Sequence, residues 1–319
     1  MAYTLTASQI DDAVASALSW RMPTLVDNIY VGTPVLKALD SQERVIAQGG
    51  TQLEMPFLFA KSPGGSYQGM DNLDVTRRKT KSLLQLKWKL YYASVTIDGM
   101  TELQTSGYPA LLNLVDTEMQ AAELRLNDDM GADLYLDGTG NNSKALDGFD
   151  IAIAATGTYG GISRTADPEG TALVGRVDTT GGDLTLPLLQ TNYGAATIGA
   201  THPDLISVPQ GQWDAIWSRL QPQQRFPAGP MAEQIAAAGF SVMNFNGTPI
   251  VKDDKAPAGT VWGINTKYTY YVANERRANI QTIGPLTPVG QDAKVWRLHW
   301  AGNLMVGGPR FMFKMTGLN

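Results

Sequence analysis

Residues 51–59 and 84–92 both carry strand patterns, and the polar, turn-rich chain between them is far too long for a tight hairpin. In the first run Leu53, Met55 and Phe57 alternate with their neighbours, behind Gly49-Gly50. Pro56 inside it confines the strand to an edge or a bulge, because proline cannot donate to a ladder. In the second run Leu84, Leu86, Trp88, Leu90 and Tyr92 point one way, and Gln85, Lys87, Lys89 and Tyr91 the other. The loop between them opens at Ser62-Pro63-Gly64-Gly65-Ser66 and stays polar to Thr80, about twenty residues where most connections have a handful. Two strands closed this way form an extended finger that cannot bury its own faces. Any fold for this chain has to supply a surface for that finger.

An amphipathic arm comes first. Ile10, Val14, Ala17 and Leu18 recur at helical spacing over residues 7–20, with Thr6 or Ser8 to cap the start and Pro23 to end it. A second helical turn fits residues 34–39. The arm's stripe is narrow and needs something else to pack against. After the finger, residues 109–137 form the longest helical pattern. Leu112, Val115, Met119, Ala122, Leu126 and Met130 keep a three-four spacing, Pro109 suits the first turn and Gly138 the stop. Such a rod spans roughly 40 Å at about 1.5 Å per residue. Gly131 weakens its last turns.

Residues 147–255 mix short elements. Helices are expected over 183–190, 210–220 and 231–238, a strand over 205–208, and a Pro/Gln loop over 221–230. Strand-like runs cover 240–252 and 259–264, joined by the turn at 253–259. Residues 294–315 return to strand pattern with Val295, Arg297, His299, Phe311 and Phe313. No internal repeat is present. A long helix, late strands and a mixed centre make an α+β chain with an inserted domain.

Reactive chemistry is sparse. The 319 residues hold no Cys and two His, which excludes disulfides, thiolate metal sites, cysteine nucleophiles and a multi-histidine centre within one chain. No G-x-S-x-G elbow, Walker A or H-E-x-x-H is present. His202, before Pro203, and His299, between Leu298 and Trp300, read as a loop and a strand histidine; a hydrolase pairing one of them with an Asp is the enzymatic alternative. The glycines around Gly138–Ser143 end a helix instead of opening one, so a phosphate there would lack the N-terminal dipole. Asp128-Asp129 with Asp133, and Asp253-Asp254, lack the alternating oxygens of a calcium loop and read as a solvated helix face and an ordinary turn. No enzymatic activity, metal or cofactor is expected. No stretch approaches the ~18 apolar residues of a membrane span, and the N-terminus has no basic, apolar signal.

Charge placement is more informative. Residues 77–89 hold six of the 25 basic residues (Arg77, Arg78, Lys79, Lys81, Lys87, Lys89) and no acid, on a chain of net charge −5. The 109–137 helix carries Asp116, Glu118, Glu123, Asp128, Asp129, Asp133 and Asp137 against Arg125. A basic finger on an acidic body suits pairing with another copy of the chain. Because Trp88, Tyr91 and Tyr92 interleave the cations, a nucleic-acid-binding module is the competing reading. The plainest reading is a solvated strand face with lysines guarding an edge.

In order and spacing these parts resemble the major capsid proteins of tailed bacteriophages, the Hong Kong 97-type fold. The most specific stretch is Asn246-Gly247-Thr248-Pro249-Ile250-Val251-Lys252 followed by Ala256-Pro257-Ala258-Gly259-Thr260-Val261-Trp262-Gly263. It is similar to the family's G-x-P-V strand and P-A-G-T turn, with an aromatic run at residues 268–271 beyond. Asp137-Gly138-Thr139-Gly140 closes the long helix as the family's spine helix closes. Ala301-Gly302-Asn303-Leu304 through Phe311-Met312-Phe313 is similar to the closing strands. The resemblance implies an N-terminal arm (1–48), an extended E-loop hairpin (49–98), a first P-domain part with the spine helix (99–146), an A-domain (147–264) and P-domain return strands (265–319).

It further implies a head protein that self-assembles, through hexamers and pentamers, into an icosahedral shell around double-stranded DNA. The shell would form in the host cytoplasm and reside in the virion. A portal and decoration proteins are the implied partners; the front of the chain is too short for a cleaved scaffolding segment, so scaffolding is expected from a separate protein, or the sequence is already the mature form. The DNA would be enclosed without sequence-specific binding, and no membrane is involved. Intersubunit contacts are expected from Lys61, Arg77, Arg78, Lys79, Lys81, Lys87, Trp88 and Lys89 on the E-loop and from Ile10, Val14, Leu18 and Trp20 on the arm. One branch of the family bonds an E-loop lysine covalently to a neighbour's asparagine. No local signature marks Lys61 for that role, so closure is expected to be non-covalent. Joints are expected at Ser106-Gly107 and at residues 138–142. The nearest alternative within the fold is an encapsulin-like compartment enclosing protein cargo.

Overall fold

The computed structural model describes residues 33–40, 45–104, 108–220, 242–277 and 280–319. The arm positions Ile10, Val14, Leu18 and Trp20, the Ser106-Gly107 joint and the elements expected over 221–238 lie outside them.

Helix α1 (Pro34–Asp40) and the short β1 (Val45–Ala47) lead into a two-stranded ribbon of β2 (Leu53–Leu58) and β3 (Lys81–Leu86), in register from Leu53↔Leu86 to Leu58↔Lys81. Beyond its end the Phe59 amide donates to the Thr80 carbonyl at 3.1 Å. Alternation along the ladder then puts Pro56 and Leu83 in a non-hydrogen-bonded pair. The nitrogen that cannot donate faces the free edge of β2, the position expected for it.

The second run does not continue as one strand. It breaks at Lys87-Trp88 and resumes as β4 (Lys89–Asp98), which leaves the ribbon and pairs along its whole length with a long strand near the C-terminus. The break also reverses the facing. Leu84 and Leu86 are buried, but past it Lys89, Ala93, Val95 and Ile97 turn inward while Leu90 and Tyr92 face solvent. The expected single face fails because alternation holds only within a continuous ladder, and two unpaired residues reset it. The hairpin therefore ends at Leu86, not at residue 98.

After α2 (Gly99–Gln104) comes α3 (Tyr108–Asp133), with Val115, Met119, Ala122, Leu126 and Met130 buried along the expected stripe. Gly131 belongs there for packing: a Cβ would stand 3.2 Å from Thr33 Oγ1 and 3.3 Å from Lys255 Cγ. The hairpin of β5 (Thr158–Tyr159) and β6 (Ile162–Ser163) sits against the ribbon. The Gln85 amide donates to the Gly160 carbonyl at 3.1 Å, and Leu84 fills the space a Cβ at Gly160 would need. Just beyond, the Arg164 guanidinium is buried and donates to the carbonyls of Ile151, Ala152, Thr156 and Leu173.

The chain continues through β7 (Arg176–Asp178), α4 (Leu186–Ala196), β8 (Leu205–Val208), α5 (Gln210–Leu220), β9 (Val242–Phe245), β10 (Thr248–Lys252) and β11 (Val261–Ile264). Residues 240–252, expected as one strand-like run, form a hairpin at Asn246 (φ 49°) and Gly247 (φ 81°), the left-handed pair that a two-residue turn requires. Then follow β12 (Thr269–Asn274), β13 (Gln281–Leu286), β14 (Ala293–Val306) and β15 (Phe313–Met315).

Strand β14 is the axis of a five-stranded sheet. One of its edges takes β4; the other takes β13 and then β12, with β1 parallel beyond β12. The second sheet has six strands in the order β7-β15-β11-β8-β10-β9. Phe313, expected among the return strands of the first unit, lies instead in this sheet, between β7 and β11. Its central strands are buried on both faces and so read as apolar runs. Ile206, Val208, Ile250, Val261 and Phe313 cluster with Leu189 and Tyr193 of α4 and Trp213 and Ile216 of α5. Leu205, Val251, Trp262 and Ile264 join the large core that contains the α3 stripe and the first sheet.

A buried polar knot joins the end of α3 to that second sheet. The Tyr135 hydroxyl lies 2.6 Å from Ser207 Oγ and donates to Asp253 Oδ2 at 2.8 Å, and Asp253 Oδ1 accepts the Lys255 amide at 3.0 Å. The Asp253-Asp254 pair is thus only half the solvated turn expected: Asp254 is exposed beside Lys252, while Asp253 is 1% exposed. Burial raises the Asp253 carboxyl above its ordinary value and raises the Tyr135 hydroxyl as well. Tyr135→Phe leaves both partners short of a hydrogen bond and should cost about 1–3 kcal/mol in urea unfolding. Because the folded Asp253 carboxyl holds its proton more tightly than the ordinary 3.8, its contribution to stability is full below that value. It is lost as pH rises through the raised folded value. Asp253→Asn should therefore flatten the fall of unfolding free energy above pH 3.8; an unchanged slope would show that the carboxyl titrates normally.

Candidate assembly surface

Beyond the last ribbon pair, residues 59–80 form a loop without regular structure, exposed over most of its length. Short-range bonds shape it. Asp71 accepts the Gln68 amide at 2.7 Å, and Asp74 accepts the Thr76 amide at 3.0 Å and pairs with Arg78 at 3.0 Å. The bonds from Thr76 hold the Asp74 carboxyl below its usual range. On this polar frame Tyr67, Met70, Leu73 and Val75 stand open to solvent, Met70 and Val75 almost completely. Composition alone made the loop look polar and passed over these four.

The ribbon behind the loop has one covered and one open face. Leu53, Leu84 and Leu86 are buried, with Met55 and Phe57 packed beside them. Pro56, Leu58 and Leu83 look outward with Glu54, Lys81 and Gln85. The returning limb is tied to its own subunit by Glu169, which pairs with Lys79 at 2.7 Å and accepts the Ser82 hydroxyl at 3.2 Å. The Lys79 hydrogen bond holds the Glu169 carboxyl below its ordinary value. The outer apolar face and the loop tip have no covering within the described residues.

The basic residues expected to make contacts divide into three groups. Lys61, Arg77, Lys81 and Lys87 are exposed and form no ion pair among the described residues. Arg78 and Lys79 are exposed but already matched by Asp74 and Glu169. Lys89 is not a surface residue at all. It is 7% exposed, lies 3.2 Å from Asp147 Oδ1 and donates to the Ser143 carbonyl at 2.9 Å. The reversal at 87–88 turns it inward, and it leaves the contact set. Trp88 is half-buried, its indole N–H donating to the Gly50 carbonyl at 2.9 Å, so it braces the base of the ribbon.

Asp147 also accepts Asn303 Nδ2 at 2.7 Å. Asn303 donates to the Lys87 carbonyl at 2.9 Å and accepts the Asp147 and Leu304 amides at 3.1 and 2.9 Å. The exit of the ribbon is thereby fastened to β14. None of this was legible from spacing.

On α3 the acids are largely engaged within the subunit. Asp128 pairs with Lys255 at 2.6 Å, Asp129 with Arg125 at 3.7 Å, and Asp133 accepts the Tyr91 hydroxyl at 2.5 Å. A groove of about 560 Å³ separates this helix from β4, lined by Leu90, Tyr92, Arg125, Asp129 and Lys144. His202 Nδ1 lies 3.0 Å from the Tyr193 hydroxyl and 2.9 Å from the Pro203 carbonyl. His299 stands beside Tyr92 on the sheet, and burial together with Arg277 and Arg297 lowers its pKa. Neither ring is bonded to a carboxylate among the described residues. Among those residues no three His, Asp or Glu side chains converge on a point, and no helix is long and apolar enough to cross a membrane.

No protein-family model and no curated protein sequence matches the chain. Solved structures match its fold. The cyanophage A-1(L) capsid asymmetric unit is 16% identical with a TM-score of 0.69, over 91% of this chain and 93% of that one. The capsid of the native GTA particle is 11% identical with a TM-score of 0.57, over 88% and 90%. The capsid of Myoviridae phage XM1 is 11% identical with a TM-score of 0.54, over 86% and 90%. Over about nine-tenths of its length the chain thus shares the fold of these capsid structures.

Proposed function

We propose that this chain is the major capsid protein of a tailed phage, assembling through hexamers and pentamers into the icosahedral shell around double-stranded DNA. The observation that carries the reading is the finger: a ribbon with an apolar outer face and an apolar tip that the described residues leave open, on a fold shared with capsid structures. Covering such side chains on neighbouring copies yields about 25 cal/mol per Å² removed from water. Several modest contacts per subunit then add up to a shell while each stays reversible. Lys61, Arg77, Lys81 and Lys87, which form no ion pair among the described residues, would select register against acidic surface on the next copy.

In this reading α3 and the five-stranded sheet form the P-domain and the six-stranded sheet the A-domain. Ile10, Val14, Leu18 and Trp20 of the arm add further contacts. The protein would assemble in the host cytoplasm with a separate scaffolding protein, a portal and decoration proteins, and would enclose DNA without reading its sequence. No enzymatic step is assigned to it. Met70→Asp with Val75→Asp should leave a folded, soluble subunit that forms no polyhedral particles by electron microscopy, where the unaltered chain forms them. Normal shells from the doubly substituted chain would refute the finger's role. Duplex DNA inside the unaltered particles supports the reading; folded protein cargo would assign the chain to an encapsulin-like compartment.

A further inference from the structure

Lys89, Asp147 and Asn303 meet in one buried cluster that holds the parts of an acyl transfer. Asp147 has Lys89 Nζ at 3.2 Å from Oδ1 and Asn303 Nδ2 at 2.7 Å from Oδ2, so one carboxylate touches both nitrogens. Asn303 Oδ1 accepts two backbone amides, from Leu304 at 2.9 Å and from Asp147 at 3.1 Å. Nδ2 gives its second hydrogen to the Lys87 carbonyl at 2.9 Å, which leaves the carboxamide a single orientation. Lys89 is laddered to Gly302, so the strands keep it beside Asn303, and the Ser143 carbonyl steadies Nζ at 2.9 Å. Asn303 is fully buried, and Lys89 and Asp147 are 7% and 15% exposed.

A salt bridge needs only the first of these contacts. An amine and a carboxamide on one carboxylate, with two N–H groups aimed at the carboxamide oxygen, also match what amide exchange requires. The amine is the nucleophile, the carboxylate carries protons, and the N–H pair stands where negative charge develops. Burial keeps out water, the competing nucleophile.

We propose that Lys89 and Asn303 join in an isopeptide bond within the folded subunit, with Asp147 as the proton carrier. Asp147 Oδ1 takes a proton from the Lys89 ammonium, and the freed electron pair on Nζ attacks Asn303 Cγ. The Cγ–Oδ1 π pair moves onto Oδ1, where the Leu304 and Asp147 amides stabilise it. Collapse restores the carbonyl and breaks Cγ–Nδ2, while Asp147 delivers its proton to Nδ2. A second proton follows from Nζ through the same carboxylate, so Nδ2 leaves as ammonium and the carboxylate is regenerated. All the reacting groups belong to one chain, so the bond needs no neighbouring copy. It fastens the exit of the ribbon to β14 covalently, and its absence would leave the shell reading untouched.

The test is mass spectrometry, in denaturant, of the unassembled full chain after folding. The chain should be lighter than its sequence by one ammonia, and proteolysis should release a branched peptide joining the segments around Lys89 and Asn303. Lys89→Met should keep its full mass. Asp147→Asn keeps the shape but cannot accept the proton, and should slow the loss of ammonia after refolding by about a hundredfold or more. An unmodified mass for the unaltered chain would overturn the proposal, and that measurement decides even if neither variant folds. An ammonia deficit carried on linear peptides, as from a succinimide at Asn246-Gly247, would overturn it too. So would cross-linking in Asp147→Asn at the unaltered rate.

Discussion

The reversal of facing at Lys87-Trp88 is the constraint on which the rest of the subunit depends. Before it the chain belongs to the ribbon, with Leu84 and Leu86 turned down; after it the chain belongs to the five-stranded sheet, with Ala93, Val95 and Ile97 inward. An unbroken strand would have pressed Leu90, Tyr92 and two charged or polar neighbours into the wrong layers, since a one-residue slip exchanges the faces of everything downstream. The break lets one continuous stretch serve a projecting finger and a buried sheet. Its cost is a lysine carried into the interior. A buried cation is tolerable only with full partnership, and Asp147 and the Ser143 carbonyl supply it.

That solution spreads outward from Asn303. The same strand that carries it, β14, receives β4 on one side and β13 and β12 on the other, so the ribbon's exit is anchored at the most heavily paired strand among the described residues. The C-terminal continuation then crosses into the six-stranded sheet as β15, linking the two sheets covalently, while Tyr135, Ser207 and Asp253 tie the end of α3 to the second sheet by hydrogen bonds. Buried polar knots of this kind add direction to a core that hydrophobic contact alone would leave free to slide.

What could be read from the sequence follows physical range. The α3 stripe was legible because a three-four spacing needs no partner to define it, and so were the ribbon and the strand over residues 205–208. The β9–β10 hairpin carried a readable signal, Asn246-Gly247, that the run of strand formers around it masked. Facing in β4 was not legible, since alternation says which residues share a face only while a ladder is continuous. Lys89 and Asp253 looked like surface charge because their partners lie far along the chain. Arg164 gave no sign of its four carbonyl acceptors, which come together only through loop closure. The open apolar tip was hidden for the opposite reason: a methionine in a loop does not announce that nothing covers it.

Exposed apolar strands ordinarily invite runaway association, and the ribbon is built against it. Pro56 removes a donor from the free edge of β2, and on β3 the Gln85 amide is taken by Gly160 while Lys81 guards the outer end. Each backbone edge is thus interrupted at one position, which favours side-chain contacts with the finger over the continuous strand addition of a fibre. A finger that docks on a different surface of the next copy makes a heterologous contact, and such contacts end in a closed ring only if the rotation between copies closes. In a contact of that kind the direction in which the finger leaves the body would decide whether a ring closes. The finger leaves the body at residues 87–89, where one ammonium, one carboxylate and one asparagine hold the exit in place, so the direction of any such contact is fixed at that joint.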